Sequence, residues 1–180
     1  QLITIIPEED INLVQRKCYN VFLKNAQKEV KFKDDEIKEE KRYKFKVRFK
    51  ELKRESGVNI QDHGYIKQQM HNLMSIVISI VDQDRKDHWK LFHLLSKVER
   101  DGDILEYELD PIIVKALKDQ EYFTKLDLLQ ISKLNSKYST ILYELAIRYE
   151  DYKIPKMSIE KLREITNTTD KYERIGNLKT

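Results

Sequence analysis

Lys41-Arg42-Tyr43-Lys44-Phe45-Lys46-Val47-Arg48-Phe49-Lys50 is the stretch that decides how this chain is read. Apolar side chains (Tyr43, Phe45, Val47, Phe49) alternate with cations (Lys44, Lys46, Arg48, Lys50). Successive side chains of a strand point to opposite faces, so this register predicts a strand with one apolar and one cationic face. From Lys41 to Arg54 the sequence holds eight Lys or Arg and a single acid, Glu51. The residues that follow read as helix, turn, helix. Phe49 to Ser56 is closed by Gly57 at a C′ position, Val58 to Asp62 turns, and a second helix runs from Asp62 to Ser75. A cationic strand leading into this pattern makes nucleic acid the first partner to consider.

The second helix divides into an apolar side (Ile66, Met70, Leu73, Val77) and a polar side (Lys67, Gln68, His71, Asn72). The polar side could contact phosphates or base edges, with Gln and Asn suited to adenine. With Lys44, Lys46, Arg48, Lys50, Lys53 and Arg54, these four residues make up the candidate DNA-binding set. The competing reading is a solvated edge strand, whose lysines discourage edge-to-edge pairing, followed by an ordinary exposed helix face.

Ser75 to Val81 is short and rich in β-branched residues, which predicts a buried strand. Arg100-Asp101-Gly102-Asp103 is a hairpin-turn signal between the apolar segment Trp89 to Val98 and the alternating segment Ile104 to Leu109. Asp110-Pro111 then opens a short helix through Lys118, with Asp110 as N-cap. Helix, helix and Gly-tipped hairpin is the sequence order of a winged-helix domain. The expected class is α+β: a winged helix-turn-helix with a small antiparallel sheet, a β-hairpin wing, and additional N- and C-terminal helices.

On the flanks, Glu8 to Ala26 reads as a helix with Ile11, Val14, Cys18, Val21 and Phe22 on its apolar stripe, and residues 27 to 40 as a charged loop. Residues 123 to 134 fit either strand or helix. Ser136 caps a helix to about Tyr152, with Tyr138, Ile141, Leu142, Leu145 and Tyr149 as its apolar stripe, read as core. Pro155 marks a boundary. Ser158 starts another helix through Ile165, with Leu162 and Ile165 inward, and Asn167-Thr168-Thr169 forms a turn.

Bulk properties narrow the classes. With 40% hydrophobic residues the 180-residue chain can bury a domain-sized core, and with a net charge of only +3 the distribution of charge matters more than its sum. Cys18 is the sole cysteine, which excludes an intrachain disulfide and a cysteine-built zinc site and fits a reducing cytosol. His63 and His71 are two helical turns apart, and His88 and His93 lack other ligands at metal spacing, so no metal is expected. Glu106 and Glu108 share a strand face without a partner that suggests acid–base catalysis, and no phosphate-binding glycine loop is present, so the expectation is binding rather than an enzyme. No apolar run is long enough to cross a membrane. The chain begins at Gln1, which reads as a trimmed fragment.

Two further segments carry a resemblance. Phe123-Thr124-x-Leu126-Asp127-Leu128 followed by Leu134-Asn135-Ser136-Lys137-Tyr138-Ser139 and Leu142-Tyr143-Glu144-Leu145 is similar to a signature in the long helix that closes the first domain of plasmid replication initiators, the Rep proteins of theta-replicating plasmids. Ser158-Ile159-Glu160-Lys161-Leu162-Arg163-Glu164 with Asp170-Lys171-Tyr172 resembles the opening of their second domain. The resemblance implies two winged-helix domains, with residues 1–154 as the first (dimerisation and DNA-backbone binding) and 155–180 as a linker and truncated start of the second. It implies binding to double-stranded DNA at plasmid origin repeats (iterons) or operator repeats, a homodimer, host replication proteins as partners, autorepression, and a location in the bacterial cytoplasm. A chromosomal winged-helix transcription regulator and a protein-interaction module without DNA binding are the rival readings.

Overall fold

The computed structural model describes residues 11–30, 36–59, 62–81, 87, 89–118, 128–149 and 156–169. Helix α1 (Leu13–Val30) forms the spine of the core, burying Cys18, Val21, Phe22, Ala26 and Val30. It runs beyond Ala26 into the segment read as loop, because Val30 lies one turn after Ala26 and extends the buried stripe. Residues 36–40, also read as loop, are anchored: Ile37 packs on the core, and the Lys38 amide donates to Tyr43 Oη at 2.8 Å.

Strand β1 (Tyr43–Arg48) has the expected alternation, with Phe45 and Val47 buried and Lys44, Lys46 and Arg48 outward. Helix α2 (Phe49–Ser56) follows without a break and ends at Gly57 in the left-handed region, φ 64°, whose amide donates to the Lys53 carbonyl. A Cβ at Gly57 would sit 2.7 Å from Ser132 Cβ, so glycine is required both by backbone conformation and by the close approach. Helix α3 (His63–Ser75) is N-capped by Asp62, which accepts from the Gly64 amide at 2.7 Å, and it buries Ile66, Met70 and Leu73. Val77, assigned from sequence to this helix face, is instead the first residue of strand β2 (Val77–Val81).

The segment read as one hairpin arm, Trp89 to Val98, is divided between two sheets. Its first part is β3 (Trp89–His93), antiparallel to β2 with Ile78 opposite Phe92. Its last part is β4 (Lys97–Asp101), antiparallel to β5 (Ile104–Leu109). Leu94 and Leu95 between them are fully buried, and the Leu94 amide donates to the Ile76 carbonyl while the Ser96 amide donates to Glu108. Burial of this Leu pair turns the chain out of one sheet and into the other. The hairpin at Gly102 is present as read, with a shorter first arm. The β2–β3 pair is also less buried than the β-branched run suggested: Ile76 and Ile78 are covered, while Ser79, Trp89 and Leu91 are exposed.

The three-stranded sheet has order β1-β5-β4. With α2 and α3 between β1 and β4, this is a winged-helix arrangement carrying an extra hairpin, β2–β3, ahead of the wing. Tyr107 on β5 ties the sheet to α1. Its ring stacks on Phe22 at 4.4 Å, its hydroxyl donates to the Phe22 carbonyl at 2.7 Å, and Asn25 donates to both that hydroxyl and the Lys46 carbonyl.

Helix α4 (Pro111–Lys118) starts as expected, with Asp110 accepting from the Ile112 amide at 2.8 Å. Helices α5 (Leu128–Lys133), α6 (Lys137–Arg148, capped by Ser136) and α7 (Ile159–Thr166, capped by Ser158) complete the described residues. The helical choice is the right one for 128–133. Residues 123–127 and 170–172, the first part of one quoted resemblance and the last part of the other, lie outside the described residues. Helix α6 departs from its reading as a core helix. Ile141 is buried, but Leu142 is 47% exposed, and Tyr138, Leu145 and Tyr149 are half-buried. A polar attachment explains this: Glu144 turns toward α1, where Arg16 and Asn20 both donate to it.

Candidate nucleic-acid interface

The winged-helix arrangement brings the sequence-predicted residues onto β1, α2 and α3. They are of two kinds. Lys44 and Lys46 lie directly across from Glu108 and Glu106 of β5. Lys44 Nζ is 3.9 Å from Glu106 and 3.5 Å from Glu108, and Lys46 Nζ is 3.4 Å from Glu106. On the far side of β5, Lys97 of β4 faces Glu108, and Glu99 faces Glu106. Lys97 and Glu99 bond each other at 2.7 Å. That bond raises the Lys97 amine above its ordinary value and holds the Glu99 carboxyl below its own. The cationic face of β1 is therefore one edge of a cross-strand charge ladder. Glu108 is buried deepest in it; its Oε1 makes no hydrogen bond, and its nearest cation is the Lys44 ammonium.

Arg54 is likewise engaged, 3.5 Å from Glu55 and 3.9 Å from Glu51. By contrast, Arg48, Lys50, Lys53 and Lys67 have no acidic partner among the described residues. Arg48 is at the end of β1, opposite the apolar Ile104 rather than a carboxylate. Lys50 projects from the first turn of α2 and is exposed. On α3, Lys67, Gln68 and His71 are exposed and Asn72 is half-buried, with Gln68 Nε2 donating to Asn72 Oδ1 at 2.8 Å. Tyr65, 43% exposed, joins the Gln68 and Asn72 face of the helix.

Two residues that sequence reasoning did not single out for the site meet the start of α2. Arg100 of β4 lies over the Phe49 ring at 3.7 Å and donates from Nε to the Gly102 carbonyl. Asp103, at the wing turn, accepts from the Phe49 amide through its carbonyl at 2.6 Å and from the Lys50 amide through Oδ1 at 3.3 Å. The turn signal at 100–103 was legible, but nothing local indicated that it reaches the start of α2. Among the described residues no group of three His, Cys, Asp or Glu is placed to hold a metal ion, and no helix is long and apolar enough to cross a membrane.

The sheet order β1-β5-β4, helices α2 and α3 and the hairpin at Gly102 together define a winged-helix domain. Residues 2–147 match the family model described as "Initiator Replication protein, WH1", and the chain belongs to that family of plasmid replication initiators, as its first winged-helix domain. No curated protein and no solved structure matches it.

Proposed function

We propose that this domain binds the backbone of double-stranded DNA at plasmid origin or operator repeats, and does so as a homodimer. The observation that carries the reading is the division of the cations. Among the described residues Arg48, Lys50, Lys53 and Lys67 have no carboxylate partner, whereas the neighbouring Lys44, Lys46 and Arg54 are paired with carboxylates. Unneutralised cations on a winged-helix scaffold suit phosphate contact, which fixes position without reading sequence. Base-specific contacts, recruitment of host replication proteins and autorepression belong to the same reading, with a second winged-helix domain starting after 155 as the sequence reader. The domain acts by binding rather than catalysis, in the bacterial cytoplasm.

Support for the dimer comes from the β2–β3 pair. Trp89 and Leu91 stand on one face of β3, 59% and 56% exposed, and β2 carries no charged residue. Exposed large apolar side chains on one strand face suit burial against a second copy.

The test is duplex binding by fluorescence anisotropy across a salt series. Reversing Arg48 and Lys50 together to Glu should weaken binding at least about ten-fold and flatten the plot of log K against log salt by about two. The Lys44→Glu, Lys46→Glu pair should have the smaller effect, if its stability loss is accounted for by thermal melting. Unchanged affinity in the Arg48, Lys50 variant would sink the DNA-binding reading.

A further inference from the structure

We propose that α3 reads an adenine in the major groove of duplex DNA, through Gln68 and Asn72 acting as one hydrogen-bonded amide pair. The inference rests on the DNA-binding reading above and adds to it a base contact made by this domain itself. In a helix-turn-helix the second helix is the one that enters the major groove, and here that helix is α3. Its 13 residues include no Asp or Glu, in a chain that carries 31 of them. The exposed Tyr65, Lys67, Gln68 and His71, with Asn72 half-buried beside them, can therefore approach a polyanion with no carboxylate of their own helix in the way.

The pair narrows which base is recognised. Gln68 Nε2 donates to Asn72 Oδ1 at 2.8 Å, one turn on, and neither side chain makes another hydrogen bond among the described residues. This leaves free the Gln68 Oε1 acceptor and the Asn72 Nδ2 donor, side by side on one helix face. Turning both amides over leaves the same offer, one acceptor beside one donor. On a single base edge in the major groove, only adenine sets a donor (N6) beside an acceptor (N7). Guanine presents two acceptors there, cytosine a donor alone and thymine an acceptor alone, so each leaves part of the pair unmet. The helix is also held at a set rotation. Its other side buries Ile66, Met70 and Leu73, and buried Gln69 accepts from Asn12 Nδ2 at 2.7 Å. Asn12 in turn exchanges two bonds, each 2.9 Å, with Gln15 in the first turn of α1. Helix α3 cannot roll on α1 without breaking this polar pin, so Gln68 and Asn72 stay outward. A preset pair loses less side-chain freedom on binding than two independent amides.

The test is selection of duplexes from a random pool by the whole 180-residue chain, followed by base analogues in the selected site. The parent should enrich adenine at one position or more. Replacing that adenine with 7-deazaadenine, which lacks N7, or with unsubstituted purine, which lacks the N6 amino group, should each weaken binding about ten-fold. Asn72→Asp keeps an acceptor for Gln68 Nε2 but has no donor for N7. In that variant the 7-deazaadenine penalty should vanish while the purine penalty stays. The double variant Gln68→Ala, Asn72→Ala should lose both penalties and the adenine enrichment. The analogue measurements on the parent need no variant and decide the matter should a variant not fold. No adenine enrichment, equal binding to the analogues, a 7-deazaadenine penalty that persists in Asn72→Asp, or penalties that survive the double variant overturns the proposal. The Arg48, Lys50 reversal keeps the two readings apart. If it weakens binding to unselected duplex while the parent shows no base preference, DNA binding stands and the adenine contact alone fails. If the parent binds no duplex at all, the DNA-binding reading has failed and this inference with it.

Discussion

Arg16 and Glu144 stand 128 positions apart in the chain and form a bidentate ion pair, Nη2 to Oε2 at 2.6 Å and Nε to both oxygens at 3.1 Å. Asn20, one turn further along α1, donates to the other carboxylate oxygen at 2.8 Å. The pair is mostly shielded from solvent, with 24% and 19% of the two side chains exposed, and it joins the first described helix to α6. Since Ile141 is the one residue of the α6 apolar stripe that is fully buried, this contact carries a large part of the attachment. Glu144→Ala should destabilise the domain by about 2 kcal/mol, since it leaves a half-buried guanidinium and a buried amide without their acceptor. A double-mutant cycle with Arg16→Ala, read by denaturant unfolding, should return a coupling of about 1 kcal/mol or more. A coupling near zero would show that α6 is held by something else.

Gly57→Ala should cost about 2 kcal/mol or more. The left-handed conformation disfavours any Cβ by about 1–2 kcal/mol, and the added methyl would press on Ser132 of α5 at 2.7 Å. An Ala variant that melts within a degree of the parent would mean that α2 and α5 can separate at little cost.

Cys18 offers a probe of opening. It is fully buried in the core, and burial pushes its thiol up to about 12. At pH 8 the native thiol should therefore react with a disulfide reagent at least about a hundred-fold more slowly than the unfolded chain, because little thiolate forms and none is accessible. Raising the pH from 7 to 9 should accelerate native labelling only through opening events. Rapid labelling at pH 8 under native conditions would place Cys18 in a locally unfolding segment.

The exposed Trp89 and Leu91 lead to a prediction about assembly. Replacing either with Lys should weaken self-association by at least about ten-fold in light scattering, while the melting temperature of the monomer changes little, since neither side chain contributes to the core. A parent domain that is monomeric at high micromolar concentration would remove the dimer from the proposed function.

What could be read in the sequence was what depends on neighbours along the chain. The β1 alternation, the Gly57 stop, the Asp110 and Ser136 caps and the Gly102 turn are local rules, and each is present. What could not be read depends on partners distant in sequence. The anions facing Lys44 and Lys46 come from β5, 64 and 60 residues on by register, so a face that looks cationic in one strand is paired with acids in the sheet. The same holds for α6, where periodicity predicted an apolar contact and Glu144 supplies a polar one. Trp89 to Val98 misled for a related reason: one apolar run serves two sheets, and only the buried Leu94-Leu95 pair marks the break.

The charge ladder across β1, β5 and β4 has an effect on how the domain moves before it touches anything. Paired charges cancel beyond a few ångströms, so this broad face contributes little to the distant field, whereas Arg48 and Lys50, which meet no acid among the described residues, do not cancel. This sheet thus presents its charge unevenly, in a chain whose net charge is only +3. A polyanion would exert a torque on it and draw the Arg48 and Lys50 end round first during diffusion. Neutralising the rest of the sheet is thus a way of giving a nearly balanced protein a preferred orientation of approach.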